Sequence, residues 1–338
     1  MRDTQLDIYR ALLMMYIPCV IHVMYWLGNG SEPYLSVLLV EMPLVFFLSG
    51  AAFSVSRSRR GLWPTFLNRV KRVLLPYYIY AFLLVAIGLV VSLLCAKTGW
   101  LRSWPVDITR YGWKDDAAIL LCHDIPQYPF IWHLWFIPPY LILSCTLPLQ
   151  TRLMQKMSPW LYLAICLALF LIAQSLTSIS LLRQVLCYNV FLVCGYLFYR
   201  KLNSATTALA GAAALALVLV AVWALGMDFC PMQGHKFPPD WLFVAYNLFV
   251  LCLIALVVNR FTIRNNRFLR IWSERGYNIY LYQSVVFAIM HLLRQKTYCD
   301  LSAPVRTLLD AGMVLLLSTG LSYLTYPVER FVMKKLRF

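Results

Sequence analysis

Charge is what this 338-residue chain has least of: Asp, Glu, Lys and Arg make up 13% of it, and only 14 of those residues are acidic against 30 basic. No polar stretch is long enough to bury a soluble core, so a cytosolic globular domain is excluded. The ten cysteines are scattered, mostly inside apolar runs, with no CxxC pair and no metal-ligand spacing. They read as small apolar residues, and no metal site is implied. Basic residues do not alternate with aromatics in any polar region, which removes the usual footprint of a nucleic-acid binder. No small-residue cleavage site follows the first apolar run, so that run is expected to stay as a helix.

What is present is apolar surface. Hydrophobic residues supply 61% of the chain and the mean hydropathy is +0.69. Runs of about 20 apolar residues, the length that crosses the hydrocarbon of a bilayer, recur from end to end. An all-α integral membrane protein with about ten transmembrane helices is expected. The spans fall at 9–28, 34–55, 73–95, 132–148, 159–178, 184–199, 207–226, 241–259, 276–293 and 306–325, the fourth and sixth being the shortest. With the N-terminus inside, the cytoplasmic segments collect 21 of the 30 Lys and Arg residues. By the positive-inside bias both termini are cytoplasmic. The net charge of +16 is then explained by basic loops against anionic lipid. One domain, 1–338, is expected, without an appended soluble domain.

Ionisable side chains inside spans cost a few kcal/mol and are functional candidates. The first span carries Arg10 at its start and His22 twelve residues on, about 18 Å deeper. Pro18, four residues before His22, favours a kink or a locally widened turn. Glu41 lies in the second span at a level similar to that of His22, so a hydrogen-bonded pair is open to them. Arg69 and Arg72 are three apart and share a helix face. They are either positive-inside charge or a guanidinium fork for phosphate oxygens. Residues 96–131 form the longest outer segment, rich in Trp, Pro and Asp, and such faces suit a sugar as well as a membrane interface. It runs into IWHLWFIPPYL, with His133 and Trp135 near the outer rim, His133 as an interfacial polar residue or a substrate contact. The ninth span opens WSERGYNIYLYQ with Asn278, Tyr282 and Gln283, and the tail sets Glu329 among basic residues.

The order of LD-x-x-R, a late histidine in the first helix, MPLVFFLSG, FLNRVKRVLLPYY, HLWFIPPYL, YNIYLYQ and YPVERFVMKKL resembles the membrane-bound acyltransferase family 3, over nearly the whole chain. These are polytopic enzymes that O-acylate sugars of cell-surface polysaccharides and lipid-linked glycans. The resemblance implies His22 as the catalytic histidine, Arg10 as its structural or electrostatic partner, and Arg69 with Arg72 as the family's arginine pair. Two departures stand out. Eleven residues separate Arg10 from His22 where the family has ten, and Gln283 stands where the ninth-span motif ends in histidine.

On this resemblance the chain is an acyltransferase of a bacterial cytoplasmic membrane, taking an acyl group, most simply acetyl, from acyl-CoA to a sugar, glycan or lipid-linked saccharide. His22 is either the base that takes a hydroxyl proton or the group that accepts the acyl chain itself, with Glu41 fixing its tautomer. His133, Trp135, Tyr282 and Gln283 are the candidate substrate contacts. The competing class is a transporter or flippase with His22 and Glu41 as a proton relay.

Overall fold

A computed structural model describes residues 3–56, 62–98, 114, 132–258, 260–261, 263–297 and 301–335. Residues 99–113 and 115–131 of the long aromatic segment, the arginines at 57, 59 and 60, Cys122 and Cys299 lie outside the described residues. The chain is an all-α integral membrane protein. Its helices are α1 (Thr4–Trp26), α2 (Tyr34–Leu38), α3 (Glu41–Ser56), α4 (Leu62–Thr98), α5 (Ile137–Met154), α6 (Pro159–Leu176), α7 (Ser180–Phe198), α8 (Ser204–Ala224), α9 (Met232–Lys236), α10 (Trp241–Val258), α11 (Arg267–Thr297) and α12 (Ala303–Lys335). Among the described residues, eight helical stretches are long and apolar enough to cross a membrane. Helices α5 and α11 cover the expected fourth and ninth spans but are less apolar, α11 because it opens with Arg267, Arg270, Glu274 and Arg275.

Local chemistry accounts for the boundaries. Asp3 caps α1 by accepting the Leu6 N–H at 3.1 Å, and Ser158 and Asn203 do the same for α6 and α8. The fourth span starts later than its apolar run. Trp132–Leu134 forms a single 3-10 turn, and the helix begins at Ile137. Pro138 and Pro139 follow immediately, in the first turn, where a missing N–H leaves no bond unmade. The second span is broken at Leu39–Val40, so Glu41 opens α3 instead of riding inside a continuous helix. A carboxylate there faces the positive end of the helix dipole.

The described residues form two compact units. The first comprises Met1–Ile17, Gly30–Phe66 and Pro139–Glu274; the second comprises Pro18–Asn29, Leu67–Pro138 and Arg275–Phe338. The first unit is built on the crossing of α3 and α7. Gly50 and Gly195 sit at this crossing, each against the backbone of the other helix, and Phe46 stacks on Tyr188 at 4.7 Å. Gly50 is therefore a packing notch in mid-helix. The second unit has an apolar cluster of Val23, Leu27, Val286, Phe287, Met290 and Val314 from α1, α11 and α12 and the turn that follows α1.

Candidate active site

Helix α1 is not regular. A π-helical turn runs from Ile17 to His22 between two α-helical stretches. Pro18 has no N–H for the Met14 carbonyl and its ring crowds that group, so the ordinary ladder cannot pass through it. A π turn takes up one residue more than an α turn. The eleven residues between Arg10 and His22 thus run as ten would, and the widened turn expected near Pro18 is present.

His22 closes this turn, 9% exposed. Its Nδ1 lies 2.8 Å from Oε1 of Gln283 on α11. An amide oxygen only accepts, so Nδ1 carries a proton, and in the neutral ring the lone pair is on Nε2. Around this pair, Tyr280, Gln283, Ser284 and Phe287 recur at i, i+3, i+4 and i+7, one face of α11. Phe287 meets the imidazole edge-on at 6.4 Å and Tyr280 is tilted against it at 6.0 Å. The Tyr280 hydroxyl donates to the His133 carbonyl at 2.6 Å, and the two rings lie 5.1 Å apart. Tyr80 of α4 meets the His133 ring edge-on at 6.4 Å, shares a 2.6 Å hydrogen bond with Ser284, and lies 5.3 Å from Tyr282.

His133 is therefore not solvent-facing. It is 1% exposed, tucked in by the 3-10 turn and walled by tyrosines. Trp135 follows in the adjoining turn, half-buried. Glu329 is likewise buried, and it is salt-bridged as its basic neighbourhood suggested. Its Oε2 accepts from Asn278 at 2.6 Å and lies 3.5 Å from Arg275. The Arg275 guanidinium also donates to the Ser322 carbonyl and lies 4.3 Å from the centre of the Tyr326 ring.

Arg69 and Arg72 both lie on α4, Arg69 half-buried and Arg72 exposed. The residue after them, Val73, accepts from the Tyr277 hydroxyl at 3.2 Å. Tyr277 precedes Gln283 by six residues, about 9 Å along α11. The second unit thus holds His22, Arg69, Arg72, His133, Trp135, Tyr282 and Gln283.

Arg10 and Glu41 belong to the first unit. Arg10 is half-exposed, 3.9 Å from Asp7, a spacing at which surface pairs contribute little. Glu41 forms a buried ion pair with Lys236 of α9. The tautomer-fixing place expected for Glu41 is held by Gln283. Lys236 was not foreseen as a partner, although a lysine between His235 and Phe237 in a segment rich in proline was its only sequence signal. That segment is pinned further by Ser36, which accepts the Met232 N–H at 2.8 Å. His235 bonds Asp240 and the Asp228 carbonyl, and the Asp240 bond raises its pKa above that of a free imidazole.

Truncating one member of a buried ion pair leaves the other charge uncompensated, typically at about 3–5 kcal/mol. Lys236→Met is expected to lower thermal stability in detergent by that order, and Glu41→Gln combined with Lys236→Met to recover most of it.

The family model described as an acyltransferase domain, that of acyltransferase family 3, matches residues 3–327, nearly the full chain. No curated protein and no solved structure matches it.

Proposed function

The chain belongs to acyltransferase family 3, a membrane acyltransferase, and on that premise we propose that it transfers an acyl group from acyl-CoA to a hydroxyl of a sugar, glycan or lipid-linked saccharide. The observation that carries this reading is the His22–Gln283 hydrogen bond. In the neutral ring it fixes the proton on Nδ1 and leaves the lone pair on Nε2, in a buried setting, the tautomer a general base needs. His22 Nε2 takes the acceptor hydroxyl proton as the oxygen attacks the thioester carbonyl. The C–S bond then breaks, and the imidazolium returns the proton to the leaving thiolate. The same residue serves as base and then as acid, so no further proton carrier is required.

In this reading Arg69 and Arg72 hold the coenzyme phosphates, whose oxygens match guanidinium forks. The Tyr277–Val73 contact sets this basic end about 9 Å along α11 from Gln283, a distance for an extended arm to cover. Tyr282, His133 and Trp135 would line the route. Glu41 is assigned to holding Lys236, and Arg10 to the start of α1. The transfer takes place in the cytoplasmic membrane of a bacterium.

The test is saturable binding of acetyl-CoA to the detergent-solubilised protein, compared with Arg69→Ala/Arg72→Ala at low and moderate salt. Charge-assisted hydrogen bonds contribute about 1.5–3 kcal/mol each. The double variant is expected to bind at least about tenfold more weakly at both salts, whereas diffuse attraction to a basic loop would fade on screening in either protein. A folded wild type that does not bind acetyl-CoA sinks the donor assignment.

A further inference from the structure

His235 spends both of its ring nitrogens on acceptors. In the segment between α8 and α10, Nδ1 lies 2.5 Å from Oδ2 of Asp240 and Nε2 lies 2.6 Å from the Asp228 carbonyl oxygen. A neutral imidazole has one N–H and one lone pair, so it can donate to only one of the two. A carbonyl oxygen never donates. Asp240 is held as an acceptor too, since its Oδ1 takes the Phe243 N–H at 3.0 Å as the cap of α10, and a helix N-terminus favours the ionised carboxylate. Both contacts are shorter than about 2.9 Å, the usual length of a neutral N–H···O bond, as charge-assisted bonds are. The arrangement is complete only when the ring carries two protons.

We infer that His235 is a pH-dependent latch: as imidazolium it ties both ends of the 228–240 segment together, and loss of its proton releases one of them. The segment leaves α8, turns through α9 and enters α10 at Trp241. Asp228 precedes α9 and Asp240 follows it, so the ring joins entry to exit. What it steadies is the placing of two neighbours. Lys236, the next residue, is the buried partner of Glu41, and the Met232 N–H rests on Ser36 of α2. Once the ring is neutral, a nitrogen lone pair faces an oxygen lone pair at one of the two contacts, and that tie is lost. The charges around the ring agree. Asp240, first through its hydrogen bond, and then Asp228 favour the proton, against partial burial, which opposes it. Cations of the surrounding elements are taken up elsewhere, Lys236 by Glu41 and Arg183 of α7 by the Pro239 carbonyl at 3.1 Å. Glu32, before α2, is turned to Ser36.

The sign of the pH dependence follows. The folded pKa of His235 is raised above the unfolded value of about 6.5. The latch therefore contributes fully below that pH and is lost as the pH rises through the folded pKa. Thermal melting of the detergent-purified full chain is compared with that of His235→Gln from about pH 5.5 to about pH 9. The one amide nitrogen of glutamine cannot reach two acceptors on opposite sides of a ring, and it does not titrate. Wild type is expected to melt at least about 2 °C above the variant at the acid end, with the gap closing as the pH rises. In the Asp240→Asn background, which keeps the α10 cap but removes the charge, the same gap should close at a lower pH. A gap of constant size, or one that widens with pH as a neutral ring would give, overturns the inference. Should His235→Gln not accumulate, the imidazole resonance that Asp240→Asn displaces is titrated by NMR in histidine-labelled wild type. A midpoint above about 6.5 upholds the latch, and one at or below it sinks the latch. Neither result depends on the reaction at His22.

Discussion

His22→Ala is expected to abolish acyl transfer while acetyl-CoA binding stays within about twofold of wild type. General-base catalysis contributes about 10²–10⁴ in rate. Here the base also returns the proton to the thiolate, so the loss should sit in the upper part of that range. The expected change is in kcat and kcat/KM together, the pattern of an interaction made only in the transition state. His22 lies between Tyr280 and Phe287, so truncation opens a small void and leaves Gln283 Oε1 without its donor. Both cost stability, of order 1–3 kcal/mol, which is why binding must be measured beside turnover. Added imidazole is expected to restore part of the rate, because the void and the Gln283 acceptor together accept a free imidazole in the native tautomer. Rescue by imidazole with none by a similarly sized apolar molecule separates lost chemistry from lost packing. Transfer unchanged in a folded His22→Ala protein would leave the Nε2 base without a role.

The parts of this arrangement that were legible in the sequence are those governed by short-range rules. Apolar runs of membrane length located the spans, because the bilayer fixes how many residues a helix needs. Pro18 and the additional residue before His22 foretold a widened turn, since a missing N–H acts on its own helix. The three-residue spacing of Arg69 and Arg72 put them on one helix. Partners were illegible. Gln283 is 261 positions from His22, and Lys236 is 195 from Glu41; neither contact leaves a periodic trace. Glu41 and His22 matched in level along their spans, but level says nothing of direction, and the break at Leu39–Val40 turned Glu41 into a helix start. The burial of His133 was illegible for a similar reason: composition set it among aromatics, and only the 3-10 turn shows it tucked inside. The departure at Gln283 was visible as a glutamine in place of a histidine. That it left the imidazole's own proton fixed followed only from the contact.

Gly195→Leu is the substitution expected to cost the fold most. A Cβ at Gly195 would lie 1.9 Å from the Phe47 carbonyl oxygen, and one at Gly50 would lie 1.9 Å from that of Leu192. In both cases the obstacle is backbone, which cannot rotate away as a side chain can. The two glycines answer each other across α3 and α7, so the helices touch through main-chain atoms, the close approach that small residues allow in membranes. Any side chain forces the crossing open, and with it the Phe46–Tyr188 stack and the placement of Glu41 at the head of α3. Overpacking alone costs about 1–3 kcal/mol; losing the crossing should add to it. A fall of roughly 5–10 °C in the detergent melting temperature is expected for Gly195→Ala, and failure to accumulate folded protein for Gly195→Leu. Gly312 and Gly320 of α12 supply the control. They are also helical, but a Cβ at either would meet nothing within 4 Å. Gly312→Ala and Gly320→Ala should be neutral or stabilising by up to about 1 kcal/mol through helix propensity. If Gly195→Ala melts with them, the crossing gives way cheaply, and the contact between α3 and α7 is not what holds the first unit together.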